Sequence, residues 1–138
     1  MATVLMEWDV ATLGTGIASI DKHHEKLVEM INRLHAAMLE GKSRDEAPGI
    51  LNELAEYTVM HFKHEEDIFD RIGYAGTTEH KQLHAELIDQ VTDLQKDAAE
   101  GKFTVGMETM DFLKTWLTDH IKGSDFKYIE TFKKHNIE

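Results

Sequence analysis

Residues 54–72 read Leu54-Ala55-Glu56-Tyr57-Thr58-Val59-Met60-His61-Phe62-Lys63-His64-Glu65-Glu66-Asp67-Ile68-Phe69-Asp70-Arg71-Ile72, and this stretch decides the fold. Leu54, Tyr57, Ile68 and Ile72 share one face of a helix by their spacing in threes and fours. His61 and Glu65 fall on that same face, with His64 beside them, where a helix buries its side chains. The run begins further back. Ser43 and Glu46 read as an S-x-x-E capping box, Pro48 sits in the first turn, and Ile50 starts the seam. Gly73 closes the helix. An imidazole and a carboxylate aimed into a core need something in that core to meet them.

The flanking segments repeat the pattern. From Ser19 to Glu40 the seam is Ile20, His24, Leu27, Ile31, Leu34 and Met38, and Gly41 ends it. A third helix, capped near Thr77 or Thr78, shows His80, His84, Leu87, Val91, Leu94 and Ala98 on one face and stops at Gly101. A fourth, from Val105 to Lys122, aligns Met110, Leu113, Leu117 and His120, with Gly123 as its breaker. Ser124 to His135 reads as a short amphipathic tail presenting Phe126, Ile129 and Phe132. Residues 1–18 lack helical periodicity and contain Gly14 and Gly16, so an extended N-terminal arm is expected there. Four helices with short joins predict an all-α, antiparallel up-down four-helix bundle with that arm and a short C-terminal helix.

Seven side chains able to ligate a metal fall on the apolar faces: His24, His61, Glu65, His80, His84, His120 and Asp125. A polar group buried without a partner costs ~2–7 kcal/mol, and a charged one more. Coordination to a metal removes that penalty. His61 and Glu65 are four apart, as are His80 and His84, so each pair projects from one side of its helix. His120 and Asp125 are five apart across Gly123, where a chain leaving its helix turns a carboxylate back inward. One such histidine alone reads as a core residue; all seven together read as a polynuclear metal site. Imidazole and carboxylate without thiolate suit iron, manganese or zinc. Seven ligands exceed one tetrahedral zinc and suit two octahedral irons sharing bridging carboxylates.

Other metal classes lack their signatures. No histidine stands three residues after a glutamate, so the Glu-x-x-His pairs of carboxylate-rich di-iron bundles are missing. There is no H-E-x-x-H zinc-protease helix either. A site rich in histidine and poor in carboxylate offers fewer anionic ligands to high-valent iron. That favours reversible oxygen binding over oxygenation of a substrate.

Composition sets the outer bounds. The 138 residues fit one domain, 1–138, and the formal charge of −11 argues against nucleic acid and against an anionic membrane surface. The chain has no cysteine, which excludes disulfides and thiolate-held zinc or iron–sulfur clusters and fits a reducing, cytoplasmic setting. The first ten residues carry no secretory pattern, and no stretch approaches the ~20 apolar residues of a membrane span.

With these residues in view, the chain resembles a bacterial hemerythrin domain over nearly its whole length. The resemblance is carried by Trp8, by Ile20-Asp21-Lys22-His23-His24-Glu25-Lys26-Leu27 with Asn32, and by His61-Phe62-Lys63-His64-Glu65-Glu66. Gly73-Tyr74, His80, His84 and Trp116-Leu117-Thr118-Asp119-His120-Ile121 leading to Asp125 complete it. It implies a single hemerythrin-like domain holding two iron ions (Fe2+/Fe3+) with an oxo or hydroxo bridge. On that pattern His80, His84 and His120 hold one iron, His24 and His61 the other, and Glu65 and Asp125 bridge them. Dioxygen binds at the two-histidine iron, which keeps an open position. The ferrous ions supply the electrons and the bridging hydroxide its proton, so no protein residue acts as acid or base and no catalytic residue is expected. Trp116, Leu27, Ile31 and Leu117 are candidate walls of the oxygen pocket, whereas Phe62 reads as core.

Three positions depart from that pattern. His23 stands where the family usually has glutamine. Only His24 shares the seam with Ile20 and Leu27, so His24 is the expected ligand, with His23 able to modulate or compete. Phe69 replaces a frequent methionine, and Ala75 the usual proline after Gly73-Tyr74. His64 and His135 read as solvated, and His35 has no assignment. The resemblance implies a non-enzymatic oxygen-binding protein for carriage or storage. The alternatives are an oxygen- or redox-sensing module of a larger receptor and a di-iron enzyme acting on peroxide or nitric oxide.

Overall fold

The computed structural model describes residues 5–101 and 106–138, and among these there is helix but no strand. In order they form α1 (Val10–Leu13), α2 (Ala18–Leu39), α3 (Ser43–Ile72), α4 (Thr77–Ala99) and α5 (Met107–Asp119). A π-helical turn (His120–Ser124), a 3-10 turn (Asp125–Tyr128) and α6 (Ile129–Lys134) complete the chain. The long helices run antiparallel, as cross-helix pairs show. Ser19 meets His64 and Arg33 meets Glu53 between α2 and α3. Between α3 and α4, Lys81 meets Asp70 at one end and Gln95 meets Asn52 toward the other.

The α2 seam is buried as its spacing requires: Ile20, His24, Leu27, Ile31 and Leu34 are all within 1 % of complete burial. Its end is a left-handed glycine. Gly41 has φ 71°, and the Lys42 N–H reaches back to the Ala37 carbonyl at 2.8 Å, satisfying a carbonyl the helix leaves open. The apolar residues collect in two clusters. The larger, which includes Leu27, Leu54, Leu113, Trp116 and Leu117, fills most of the bundle. The smaller joins Ile17, Ile20, Ile68, Phe69, Tyr128 and Phe132.

The arm is not wholly extended, because α1 interrupts it with one turn that the Asp9 side chain caps through the Ala11 N–H. Two side chains of α2 clip the arm down. Asn32 accepts from the Leu5 and Met6 N–H groups and donates to the Met6 carbonyl. Asp21 accepts from the Thr15 and Gly16 N–H groups and from the Thr15 hydroxyl.

Several expected boundaries shift. Lys42, not Ser43, occupies the N-cap of α3, which makes Pro48 the sixth helical residue, in the second turn. Its missing N–H costs α3 the bond to the Arg44 carbonyl. Gly76 caps α4, and the Thr77 hydroxyl bonds the Tyr74 carbonyl instead. The expected start of the fourth helix at Val105 lies outside the described residues. Gly123 does not break the helix: the chain stays helical through the π turn and the 3-10 turn into α6. The extra residue of the π turn rotates the tail, so its most buried face is Asp125, Tyr128 and Phe132, with Phe126 and Ile129 only half-buried. No helix of the described residues is long and apolar enough to cross a membrane.

Candidate metal centre

The structure brings together the seven candidate ligands that the seams singled out. α2 contributes His24, α3 His61 and Glu65, α4 His80 and His84, the π turn His120, and the 3-10 turn Asp125. None of these residues is more than 7 % exposed. They form two sets, each with ligating atoms within 4.8 Å of one another: Glu65, His80, His84, His120 and Asp125, and His24, His61, Glu65 and Asp125. The sets differ in histidines and share both carboxylates.

The contacts run through the inner ring nitrogens. Asp125 Oδ1 lies 2.9 Å from His80 Nε2 and 3.1 Å from His120 Nε2, while Oδ2 lies 3.0 Å from His24 Nε2. Glu65 Oε1 lies 3.2 Å from His84 Nε2 and 3.4 Å from His61 Nε2. Near as they are, these atoms are not aligned as donor and acceptor. All five Nε2 atoms, Glu65 Oε1 and both Asp125 oxygens are buried without a hydrogen-bond partner. Native interiors leave few such atoms, and eight of them converging on shared points have the chemistry to hold metal ions.

Burial and the facing carboxylates act in opposite senses on these imidazoles. Burial lowers the pKa of His61 to about 3 despite the opposing Glu65. It lowers His84 to about 3 as well, although Glu66 pulls the other way. Burial also works against a charged His120, but Asp125 beside it more than offsets this and raises its pKa. Burial would push Asp125 up, yet the facing imidazoles of His120, His24 and His80 hold it well below the usual carboxylate range. Ligating nitrogens that stay unprotonated at neutral pH are what a metal requires.

A second layer holds these side chains in place, and sequence reasoning missed most of it. The His84 Nδ1 atom lies 2.8 Å from Glu66 Oε2. His61 Nδ1 lies 2.8 Å from His23 Nδ1, so His23 sits behind a candidate ligand and outside both sets. His64, expected in solvent, is half-buried against Ser19 Oγ at 3.2 Å and edge-on to His23. Tyr128 is fully buried and its hydroxyl donates to Glu65 Oε2. Burial raises the pKa of Tyr128 well above the usual phenol value, which keeps that donor proton in place. Its position three residues after Asp125 was the available signal. His135 is exposed, and His35 is buried with Nδ1 unpartnered.

An apolar pocket adjoins the centre, lined by Leu27, Phe62, Leu87, Trp116 and Leu117 together with His24, His61 and His120. Ile31, expected at this wall, is fully buried but does not line the pocket. Phe62, read as core, lies at the wall and stacks on His84 with ring centroids 3.7 Å apart. Leu87, Trp116 and His120 also line a groove between α4 and α5 that opens to the surface.

The hemerythrin HHE cation-binding domain model matches residues 15–132. A bacteriohemerythrin of Methylococcus capsulatus is 37% identical over 124 residues, 90% of this chain and 94% of that protein. A hemerythrin-like protein of Naegleria gruberi is 36% identical over 131 residues, 93% of this chain and 97% of its own length. The crystal structure of a wild-type hemerythrin matches with a TM-score of 0.84 at 37% identity, covering 90% of this chain and 95% of that one.

Proposed function

Because the chain belongs to the hemerythrin family, we propose that it binds dioxygen reversibly at a buried di-iron centre held by His24, His61, Glu65, His80, His84, His120 and Asp125. The observation that carries this reading is the pair of ligand sets sharing Glu65 and Asp125. A carboxylate common to both sets would reach two ions at once. The histidines of the two sets divide as three and two. When bound, an iron pair with an oxo or hydroxo bridge supplies the electrons and the vacant coordination position that reversible oxygen binding needs.

The protein's own contribution is geometry and exclusion of water. The set with His24 and His61 offers one fewer protein ligand than the other, so an ion held there would have more room for an outside ligand. The apolar pocket touches both histidines of that set and only one of the other, His120. Its walls are largely apolar and leave no room even for a water-sized sphere. Entry therefore requires side-chain motion, most directly at Leu87 and Trp116, which the pocket shares with the surface groove. Tyr128 orients Glu65, Glu66 orients His84, and neither needs to give up a proton for binding to proceed.

The test is the optical spectrum of iron-loaded, anaerobically reduced protein before air, after air, and after oxygen removal. Reversible binding appears as a charge-transfer band that grows with oxygen and disappears without it. A band that grows and stays overturns reversibility. No band at two irons per chain overturns the site.

A further inference from the structure

Two of the inward-facing histidines have their outer nitrogen held at 2.8 Å, and the holders differ in kind. Behind His84 stands the carboxylate of Glu66; behind His61 stands the imidazole of His23. The bond to His23 crosses from α3 to α2 and so ties the two helices at the level of the site. The His23 ring is fixed from other sides as well. It meets Tyr57 edge-on with centroids 5.7 Å apart and His64 at 4.9 Å.

Only one proton fits between two ring nitrogens at that separation. If His61 uses its buried, unpartnered Nε2 toward the centre, its own proton must sit on Nδ1. His61 is then the donor, and His23 accepts through Nδ1 while keeping its proton on Nε2. This arrangement sets the tautomer and ring orientation of His61. It does so without negative charge. A carboxylate behind a ligating histidine raises its basicity, and a neutral imidazole raises it less.

We propose that His23 is a positioning residue that fixes His61 as an inward ligand yet leaves it a weaker donor than the carboxylate-backed His84. The two metal positions are therefore unequal, and the His24–His61 position releases its ion first. This inference rests on the di-iron reading above and adds a cause specific to this chain, beyond the smaller number of ligands at that position.

The experiment is an anaerobic competition titration of the metal-free full chain with ferrous ion alone against a colorimetric chelator. It resolves two binding steps. The chains compared are unmodified, His23→Ala, His23→Gln and His23→Glu, each checked for helicity by circular dichroism. Removing a partner behind a ligand typically weakens metal binding ~10–100-fold. His23→Ala should weaken the weaker step by at least ~10-fold and the tighter step far less. His23→Gln, which restores a neutral acceptor, should recover most of that loss. His23→Glu should strengthen the weaker step and narrow the gap between the two. Unchanged steps in His23→Ala, equal weakening of both, or a weaker second step in His23→Glu would overturn the assignment of His23. Fewer than two ions bound by the unmodified chain would overturn the di-iron reading itself.

Discussion

Replacing Glu65 by glutamine separates what the buried cluster does for folding from what it does for metal. Glu65 is fully buried, with Oε1 facing His61 and His84 at 3.4 and 3.2 Å and Oε2 accepting from Tyr128. In the metal-free chain the amide keeps the shape and an oxygen for Tyr128, and it offers N–H groups to the bare imidazole nitrogens. What is lost is the charge-assisted part of the Tyr128 bond, about 1 kcal/mol. What is gained is relief from burying a carboxylate, an effective penalty of several kcal/mol. Metal-free stability should therefore hold within about 1 kcal/mol or rise. Metal binding should not survive so well, because Glu65 belongs to both ligand sets. Free ion at 100 times its dissociation constant stabilises a fold by about 2.7 kcal/mol per site, so two ions give the unmodified chain about 5 kcal/mol. Glu65→Gln should gain no more than half of that. Urea unfolding with and without ferrous ion, under argon and alongside iron analysis, measures both quantities. A variant that still holds two irons and gains as much stability as the unmodified chain would refute the bridging role.

Other expectations follow from the same packing. His61 and His84, lowered to about 3, stay neutral in the folded metal-free chain while the unfolded chain protonates them near 6.5. Their stabilising contribution is complete above that value and falls with pH toward 3, at about 1.4 kcal/mol per pH unit for each. His120 works in the opposite sense, its contribution being lost as pH rises through its raised value. Urea midpoints of the metal-free chain between about pH 7 and 5 should fall with acid, and a flat profile contradicts the burial argument. Asn32→Ala removes three hydrogen bonds to the arm and should cost about 1–3 kcal/mol. Amide exchange at Leu5 and Met6 should then approach free-chain rates, and unchanged protection would show that the arm is held by something else. Trp116→Ala opens the wall between pocket and groove at about 3–5 kcal/mol of stability. Once oxygenated, the iron-loaded protein should then lose its oxygen-dependent band irreversibly several times faster, and an unaltered rate would mean that water exclusion rests on other walls.

The bundle was legible because a helical seam is a strong signal, and here the seam contained its own anomaly. Ile20, Leu27, Leu54 and Leu113 marked the buried faces, and the same spacing placed His24, His61 and His84 among them. Periodicity reports which face a residue occupies, so it finds side chains aimed inward. It is blind to partners reached from a neighbouring helix. Glu66 and His23 lie one position off their seams, where sequence alone assigns Glu66 no role and His23 only an unspecified modulating one, and each meets a candidate ligand across a helix pair. Phe62 is a similar case: its wall position depends on where α4 presents His84.

The five-residue interval between His120 and Asp125 is where local geometry departs most from the simple reading, and it explains the misplaced tail. In an α-helix five residues turn the chain by about 500°, leaving the two side chains about 140° apart. They would not share a face. A glycine that ends the helix is one solution, and Gly123 suggested it. The structure uses another, a π turn over His120–Ser124 in which the Asp125 N–H returns to the His120 carbonyl five residues back. Widening one turn brings positions five apart nearly into line, which is why π turns recur at functional sites. Gly123 has ordinary negative φ, and a Cβ added there would meet nothing within 4 Å, so it neither stops the helix nor makes room for it. The turn adds one residue to the register, and everything after it rotates. Tyr128 replaces Phe126 and Ile129 on the buried face and reaches Glu65 as a result. The irregularity that delivers the second carboxylate thus also delivers the hydroxyl that orients the first.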